Sequence, residues 1–334
     1  VARPKPQRMT PADQPAKRPR THSRSGDPAK AAGRPDTSKP VGPATAADWI
    51  SGARLRTLPL AVAPVALGTG AGVLAIAEGS WHPARALLAL VVALALQIGV
   101  NYANDYSDGV RGTDDHRVGP ARLTGSGAAK PKHVLAVALA FFGIAALAGL
   151  ALVVVTQQWW LLAVGAVAIV AAWFYTGGKH PYGYYGLGEL FVFVFFGLVA
   201  TAGSAYVQAL TVNLEAWLGG VGAGLLACAV LMANNLRDVA QDKLARKRTL
   251  AVLVGERAGR VLFVVFALVP FVIAAFLALF YPTAWLVQFA LLAALPACLI
   301  VLTAKTPREL ITALQLTSLT ALLYGVGLGL GLVF

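Results

Sequence analysis

Residues 101–122 read NYANDYSDGVRGTDDHRVGPAR, and they stand where a long apolar run stops and amide and carboxylate side chains crowd together. On a helix Asn101, Asn104, Asp105 and Asp108 fall at i, i+3, i+4 and i+7, so they share one face. Asp114 and Asp115 follow Gly109 and Gly112, which free the backbone to fold these carboxylates back. A second stretch, NNLRDVAQDKLARKRT over 234–249, closes another apolar run, with Asn234, Asp238 and Asp242 at i, i+4 and i+8. Two acidic faces at the ends of two membrane-length helices predict an all-α, polytopic membrane bundle. They also predict a divalent-metal site for a polyphosphate.

The composition agrees. Of 334 residues, 57% are hydrophobic and only 13% charged, and the mean hydropathy is +0.66, far from a soluble globular domain. The formal charge of +13 divides unevenly, because residues 1–44 hold ten Lys and Arg against three Asp. That segment also holds nine of the 19 prolines and almost no large apolar groups. It cannot bury enough surface to offset its chain entropy, so a disordered basic tail is expected over 1–44 and a transmembrane domain over 45–334. The other basic residues flank apolar runs, which fits a lipid bilayer and no nucleic acid. Cys228 and Cys298 lie in separate apolar runs without metal-ligand spacing.

Apolar windows recur at about 58–77, 85–105, 133–155, 159–176, 187–208, 216–236, 259–280, 284–303 and 309–333, which predicts about nine spans of roughly 17–25 residues each. Gly-rich windows permit close helix packing in lipid, and Pro64, Pro270 and Pro296 would each kink the helix that holds it. With the tail inside, the inner loops 106–132, 177–186, 237–258 and 304–308 carry many Lys and Arg, while the outer connections near 78–84, 156–158, 209–215 and 281–283 carry none. The asymmetry predicts a plasma-membrane protein whose N-terminus and both acidic clusters face the cytoplasm.

Helix capping alone does not account for the clusters. Both lie at helix C-termini, where the macrodipole is already negative and carboxylates are unfavourable, whereas Asp and Asn favour N-caps. A bound cation removes the conflict. Only carboxylates and amides are on offer, and His116 and His133 have no useful spacing, so the donor set implies hard oxygen chemistry. Mg²⁺ is usually held by one or two carboxylates, with water and phosphate oxygens in its other positions. Nearby Arg and Lys extend the reading to a diphosphate whose negative charge is drawn off as it leaves.

These residues resemble a known family. Asn104-Asp105-x-x-Asp108, with Asp114 beyond, is similar to the first aspartate-rich motif of the UbiA superfamily of intramembrane prenyltransferases. Asp238-x-x-x-Asp242 is similar to the second, and Tyr175-x-x-x-Lys179 to its tyrosine–lysine motif. Within the superfamily, NYANDYSDGVRGTD followed by GPARLTGSG looks most like the branch that prenylates 1,4-dihydroxy-2-naphthoate. One departure is that Gly112 stands where the third carboxylate of motif one usually comes, and Asp114 or Asp115 takes its place.

The resemblance implies a UbiA-like bundle in which Mg²⁺ on Asp105, Asp108, Asp114, Asp238 and Asp242 binds the diphosphate of a polyprenyl donor. It implies Asp105, Asp238, Lys179 and Tyr175 as catalytic groups, Tyr175 shielding the allylic cation. Arg122, Arg237 and Lys243 would offset the remaining charge, with Asn101, Asn104 and Asn234 lining the site and Arg54 or Arg56 holding the aromatic acid. The product is demethylmenaquinone, with carbon dioxide lost.

Other classes are weighed by the same residues. Another acceptor within the superfamily (4-hydroxybenzoate, a haem or chlorin side chain, a phosphoribosyl sugar) leaves the motifs unchanged. A cation-coupled transporter would place its acids near the midplane, whereas here the acids sit at one surface and Glu189, the main exception, reads as an acidic group at an inner helix start. A CDP-alcohol phosphotransferase needs DGxxAR, and here Asp108-Gly109 is followed by Val-Arg-Gly-Thr.

Overall fold

The computed structural model describes residues 42–76, 80–113 and 122–334. The tail through residue 41, together with Asp114 and Asp115, lies outside the described residues. Everything described is helical or in connecting turns, in the order α1 (Ala46–Gly52), α2 (Pro59–Leu74), α3 (Pro83–Val110), α4 (Pro131–Thr156), α5 (Leu161–Phe174), α6 (Gly188–Ala209), α7 (Leu214–Leu244), α8 (Leu250–Val254), α9 (Glu256–Leu277), α10 (Pro282–Thr303) and α11 (Glu309–Gly331). Seven of these are long and apolar enough to cross a membrane, and counting Ala46–Thr57 with Pro59–Leu74, a pair bent by 47°, as one span makes eight. The protein is a multi-pass membrane protein. The remaining expected window, 159–176, is α5, whose 14 residues cover only about 21 Å of a hydrocarbon core about 30 Å thick.

The first span starts earlier than the apolar pattern indicates. Thr45 caps α1 by accepting from the Asp48 amide while its own N–H donates to the Asp48 carboxylate, a capping box. Arg54 then takes a left-handed backbone (φ 53°), which redirects the chain through a 3₁₀ turn into α2 at Pro59.

The centre of the bundle is α7. In its apolar window 72% of residues are buried inside the protein, against 33% in α3, α4, α6 and α9, whose outer faces are therefore left for lipid. Small residues let helices close on each other where no hydrophobic force acts between them. A Cβ at Gly70 of α2 would overlap the Gly329 carbonyl of α11, and one at Gly197 of α6 would lie 2.6 Å from the Gly224 Cα of α7. Gly70→Ala is therefore expected to destabilise the protein by about 1–3 kcal/mol through forced separation of α2 and α11, read as a lower unfolding midpoint in detergent.

The two longest helices reach well past the hydrocarbon core. At 28 and 31 residues, α3 and α7 are about 42 and 46 Å long, so their last turns pass beyond the hydrocarbon core. That excess length lets Asn and Asp occupy the last turns of both. In α6 the middle segment Phe193–Val199 is π-helical. Pro64, Pro270 and Pro296 lie inside α2, α9 and α10, and Cys228 and Cys298 are buried free thiols.

Candidate active site where two helix ends meet

The last three turns of α3 carry the first polar cluster, and all of it is buried. The Asn101 amide donates to the Ala53 carbonyl at 2.9 Å and so fixes the bend after α1. Asn104 accepts from the Thr176 hydroxyl at 2.7 Å, tying α3 to the turn after α5. Asp108 accepts from the Tyr184 hydroxyl at 2.7 Å, and its other oxygen lies 3.7 Å from Arg122. Asp105 behaves differently: its two oxygens accept the backbone N–H groups of Leu123 (2.9 Å) and Thr124 (2.8 Å).

The end of α7 carries the second. Asp238 receives the Arg237 guanidinium at 2.7 and 2.5 Å, and the same guanidinium donates to Asn234 at 2.8 Å. Asp242 accepts from Thr249 at 3.3 Å, with Lys247 3.9 Å from its other oxygen. Asn235 donates to the buried Glu189 at 2.9 Å.

The two helix ends share one hollow of about 30 Å³, lined by Asp108, Thr113, Arg122, Asn234, Asn235, Asp238, Gln241, Asp242 and Lys247. Against it lies an apolar chamber of about 540 Å³ that Asp108, Arg122, Asn234, Asn235 and Lys247 also line. Arg54, Asn101, Asn104 and Tyr175 border the chamber at its polar end. Tyr175, Tyr182, Phe191 and Phe195 build an aromatic wall, with Tyr182 stacked on Phe191 at 4.0 Å between ring centroids.

Several sequence candidates stand elsewhere. Arg56, Lys179 and Lys243 are exposed and line neither cavity. Arg237 is buried but engaged with Asp238 and Asn234, and it too lines neither cavity, nor does Asp105. Among the described residues, the cations that do reach the cavities are Arg54, Arg122 and Lys247.

Lys247 and Tyr184 went unrecognised in the sequence. Tyr184 bonds Asp108, lies 3.1 Å from the Thr113 hydroxyl, and has Arg111 and Lys247 5.5 and 5.1 Å from its ring centroid. Burial, with the Asp108 carboxylate beside it, pushes its hydroxyl well above the ordinary phenol range, so it stays a protonated donor. A hydrogen bond to a charged group contributes about 1.5–3 kcal/mol. Tyr184→Phe is accordingly expected to lower kcat/KM by roughly tenfold or more without unfolding the protein, read from initial rates beside a thermal melt.

A metal ion fits this hollow on the chemistry of its donors. Among the described residues no three Asp, Glu, His or Cys side chains converge closely enough to hold one alone. Asp108, Asp238 and Asp242 nevertheless face one space with the amides of Asn234, Asn235 and Gln241, all hard oxygen donors. That suits Mg²⁺, which takes few protein carboxylates and completes its shell with water and phosphate oxygens.

Comparison with known proteins agrees with this picture. The sequence profile of the UbiA prenyltransferase family matches residues 61–319. A Mycobacterium tuberculosis protein named 1,4-dihydroxy-2-naphthoate octaprenyltransferase is 49% identical over 291 residues, covering 87% of this chain and 98% of its own. A Mycobacterium leprae protein of the same name is 54% identical over 220 residues, covering 66% of this chain and 74% of its own. In fold, the chain is similar to a UbiA homologue from Archaeoglobus fulgidus solved with DMAPP and Mg²⁺, with a TM-score of 0.61 and 14% identity over 84% of this chain and 98% of that one.

Proposed function

This chain belongs to the UbiA prenyltransferase family, and from that premise we propose that it transfers a polyprenyl group from a polyprenyl diphosphate to 1,4-dihydroxy-2-naphthoate. The observation that carries the reading is the continuity of the apolar chamber, which Arg54 borders, with a hollow where carboxylates, amides and the cations Arg122 and Lys247 meet. A lipid-like chain and a diphosphate need just these two environments side by side.

Arg54, Arg122 and Lys247 offset the charge of the diphosphate and of the aromatic acid, and their basic groups hold the two substrates at the polar end. Mg²⁺ held by Asp108, Asp238 and Asp242 would supply Lewis-acid withdrawal of charge from the leaving group. The allylic C–O bond breaks and its electron pair leaves with the diphosphate. Tyr175 turns a ring face towards the cationic carbon, an attraction of about 0.5–2 kcal/mol. The carboxylate-bearing ring carbon of the naphthoate forms the new C–C bond, and the carboxylate departs as carbon dioxide, returning its bonding pair to the ring. The product is demethylmenaquinone in its reduced form. Decarboxylation restores aromaticity, so no general base is required.

The same reading sets the protein in the plasma membrane with the acidic helix ends facing the cytoplasm. The loops at that end hold Arg111, Arg122, Lys179, Arg246, Lys247 and Arg248, with Lys243 in the last turn of α7, whereas the connections at 80–82, 157–160, 210–213 and 278–281 hold no Lys or Arg.

Membranes carrying the protein, supplied with carboxyl-labelled dihydroxynaphthoate, a polyprenyl diphosphate and Mg²⁺, are expected to release labelled carbon dioxide in step with prenylated product. Prenylation of 4-hydroxybenzoate in its place would overturn the acceptor assignment.

A further inference from the structure

The polar residues that end α3 form two stripes. Asn101, Asn104 and Asp108, at i, i+3 and i+7, border the chamber. Tyr102, Asp105 and Gly109 have the same spacing one residue on, and all three face the segment that begins at Arg122. Tyr102 and Leu123 are buried in one apolar cluster with Val134, Ala138 and Phe142. At Gly109 a Cβ would lie 2.5 Å from the side chain of Thr124, so the absence of a side chain lets that segment rest on the helix. Between them the Asp105 carboxylate, 2% exposed, accepts two consecutive backbone N–H groups. The segment is closed on itself by Ser126 N–H to Arg122 O and Ala129 N–H to Leu123 O, both 3.0 Å.

We propose that Asp105 is a positioning residue that acts through Arg122: it clamps the backbone of residues 122–124 so that the Arg122 guanidinium is held at the hollow beside Asp108. A carboxylate bonded to two adjacent amides fixes both the height and the rotation of the peptide that follows Arg122. Both oxygens are then engaged away from the cavities, which assigns Asp105 a role outside the metal shell. The inference rests on the reading of Arg122 as a diphosphate-side cation.

Two measurements test it. In the first, Asp105→Asn, Arg122→Gln and the double variant are assayed for prenyl transfer across a Mg²⁺ titration. Each single variant is expected to lose about tenfold or more in kcat/KM, and the double to fall within about threefold of the worse single, because both remove one interaction. Half-saturating Mg²⁺ for Asp105→Asn is expected to stay within about twofold of the parent. Losses that multiply, with a Mg²⁺ requirement raised about tenfold or more, would make Asp105 a ligand and overturn the proposal.

The second uses the unaltered protein, so it stands even where Asp105→Asn does not fold. Hydrogen exchange of the Leu123 and Thr124 amides is followed with and without Mg²⁺ and inorganic pyrophosphate. Protection that persists or increases on binding supports the clamp. Faster exchange would mean that the carboxylate leaves them for a metal, and the proposal fails. A fully active Arg122→Gln would instead remove the role given to Arg122 itself, a failure distinct from either.

Discussion

Replacing Asp108 by Asn is expected to cut kcat/KM for prenyl transfer by about a thousandfold or more while the protein stays folded. Asp108 is the one carboxylate on α3 that borders both the chamber and the small hollow. An amide of the same shape can still accept the Tyr184 hydroxyl, so the change is chiefly one of charge. What is lost is an anionic oxygen for a divalent cation and the counter-charge 3.7 Å from Arg122. Asp238→Asn is a less clean probe. It leaves the buried Arg237 guanidinium without its carboxylate partner, and breaking a buried pair costs about 3–5 kcal/mol of stability. Initial rates over a Mg²⁺ series, beside a thermal melt, separate chemistry from folding. An Asp108→Asn enzyme that turns over within about tenfold of the parent at ordinary Mg²⁺ would remove the metal from this site.

Gly203→Phe carries the second large effect, and it acts on substrate choice. Gly203 lines the chamber, and a Cβ built there meets nothing within 4 Å, so an added ring enters open space inside the cavity. Twelve residues separate it from Phe191 of the aromatic wall, about 18 Å along the helix. A short donor seated at the polar end does not reach it, whereas a long one must pass it. The ratio of kcat/KM for a long-chain polyprenyl diphosphate to that for geranyl diphosphate is expected to fall about a hundredfold or more, because the ring clashes with one donor and leaves the other alone. Gly165→Phe offers a parallel probe from α5, since it too faces open space in the same chamber. Equal losses for both donors, or none for either, would place the chain outside this chamber.

Much of this was legible in the sequence because it depends on local spacing. Length and hydropathy predict the helices, and the position of Asn and Asp at the ends of two of them predicts where the polar site lies. The loops that close over it are another matter. Adjacent residues on a helix point about 100° apart, so a stripe at i, i+3, i+4, i+7 covers two directions. Asn104 and Asp105 take one each, towards Thr176 and towards Leu123. Nothing short of the fold tells which neighbour faces the cavity.

Tyr184 and Lys247 were hidden for a related reason. They approach Asp108 and Asp242 from loops whose course is fixed by contacts far along the chain, such as Arg248 N–H to the Tyr184 carbonyl. In the sequence, Lys247 is one of three successive basic residues that serve equally as an orientation signal. Lys179, by contrast, matches a family motif in spacing yet stands exposed, with the adjoining carbonyls of Thr176 and Gly178 taking the Arg111 guanidinium.

The π-helical segment of α6 has a geometric consequence. Phe191, Phe195, Val199, Gly203 and Val207, four residues apart throughout, all border the chamber. In an unbroken α-helix of 3.6 residues per turn, sixteen residues would swing the last of them about 160° from the first. The wider turns of Phe193–Val199 absorb most of that drift, so these five positions stay in file along roughly 24 Å of helix axis. A single extra residue per turn, spent in the middle of one helix, thus keeps a straight wall across most of the thickness of the bilayer.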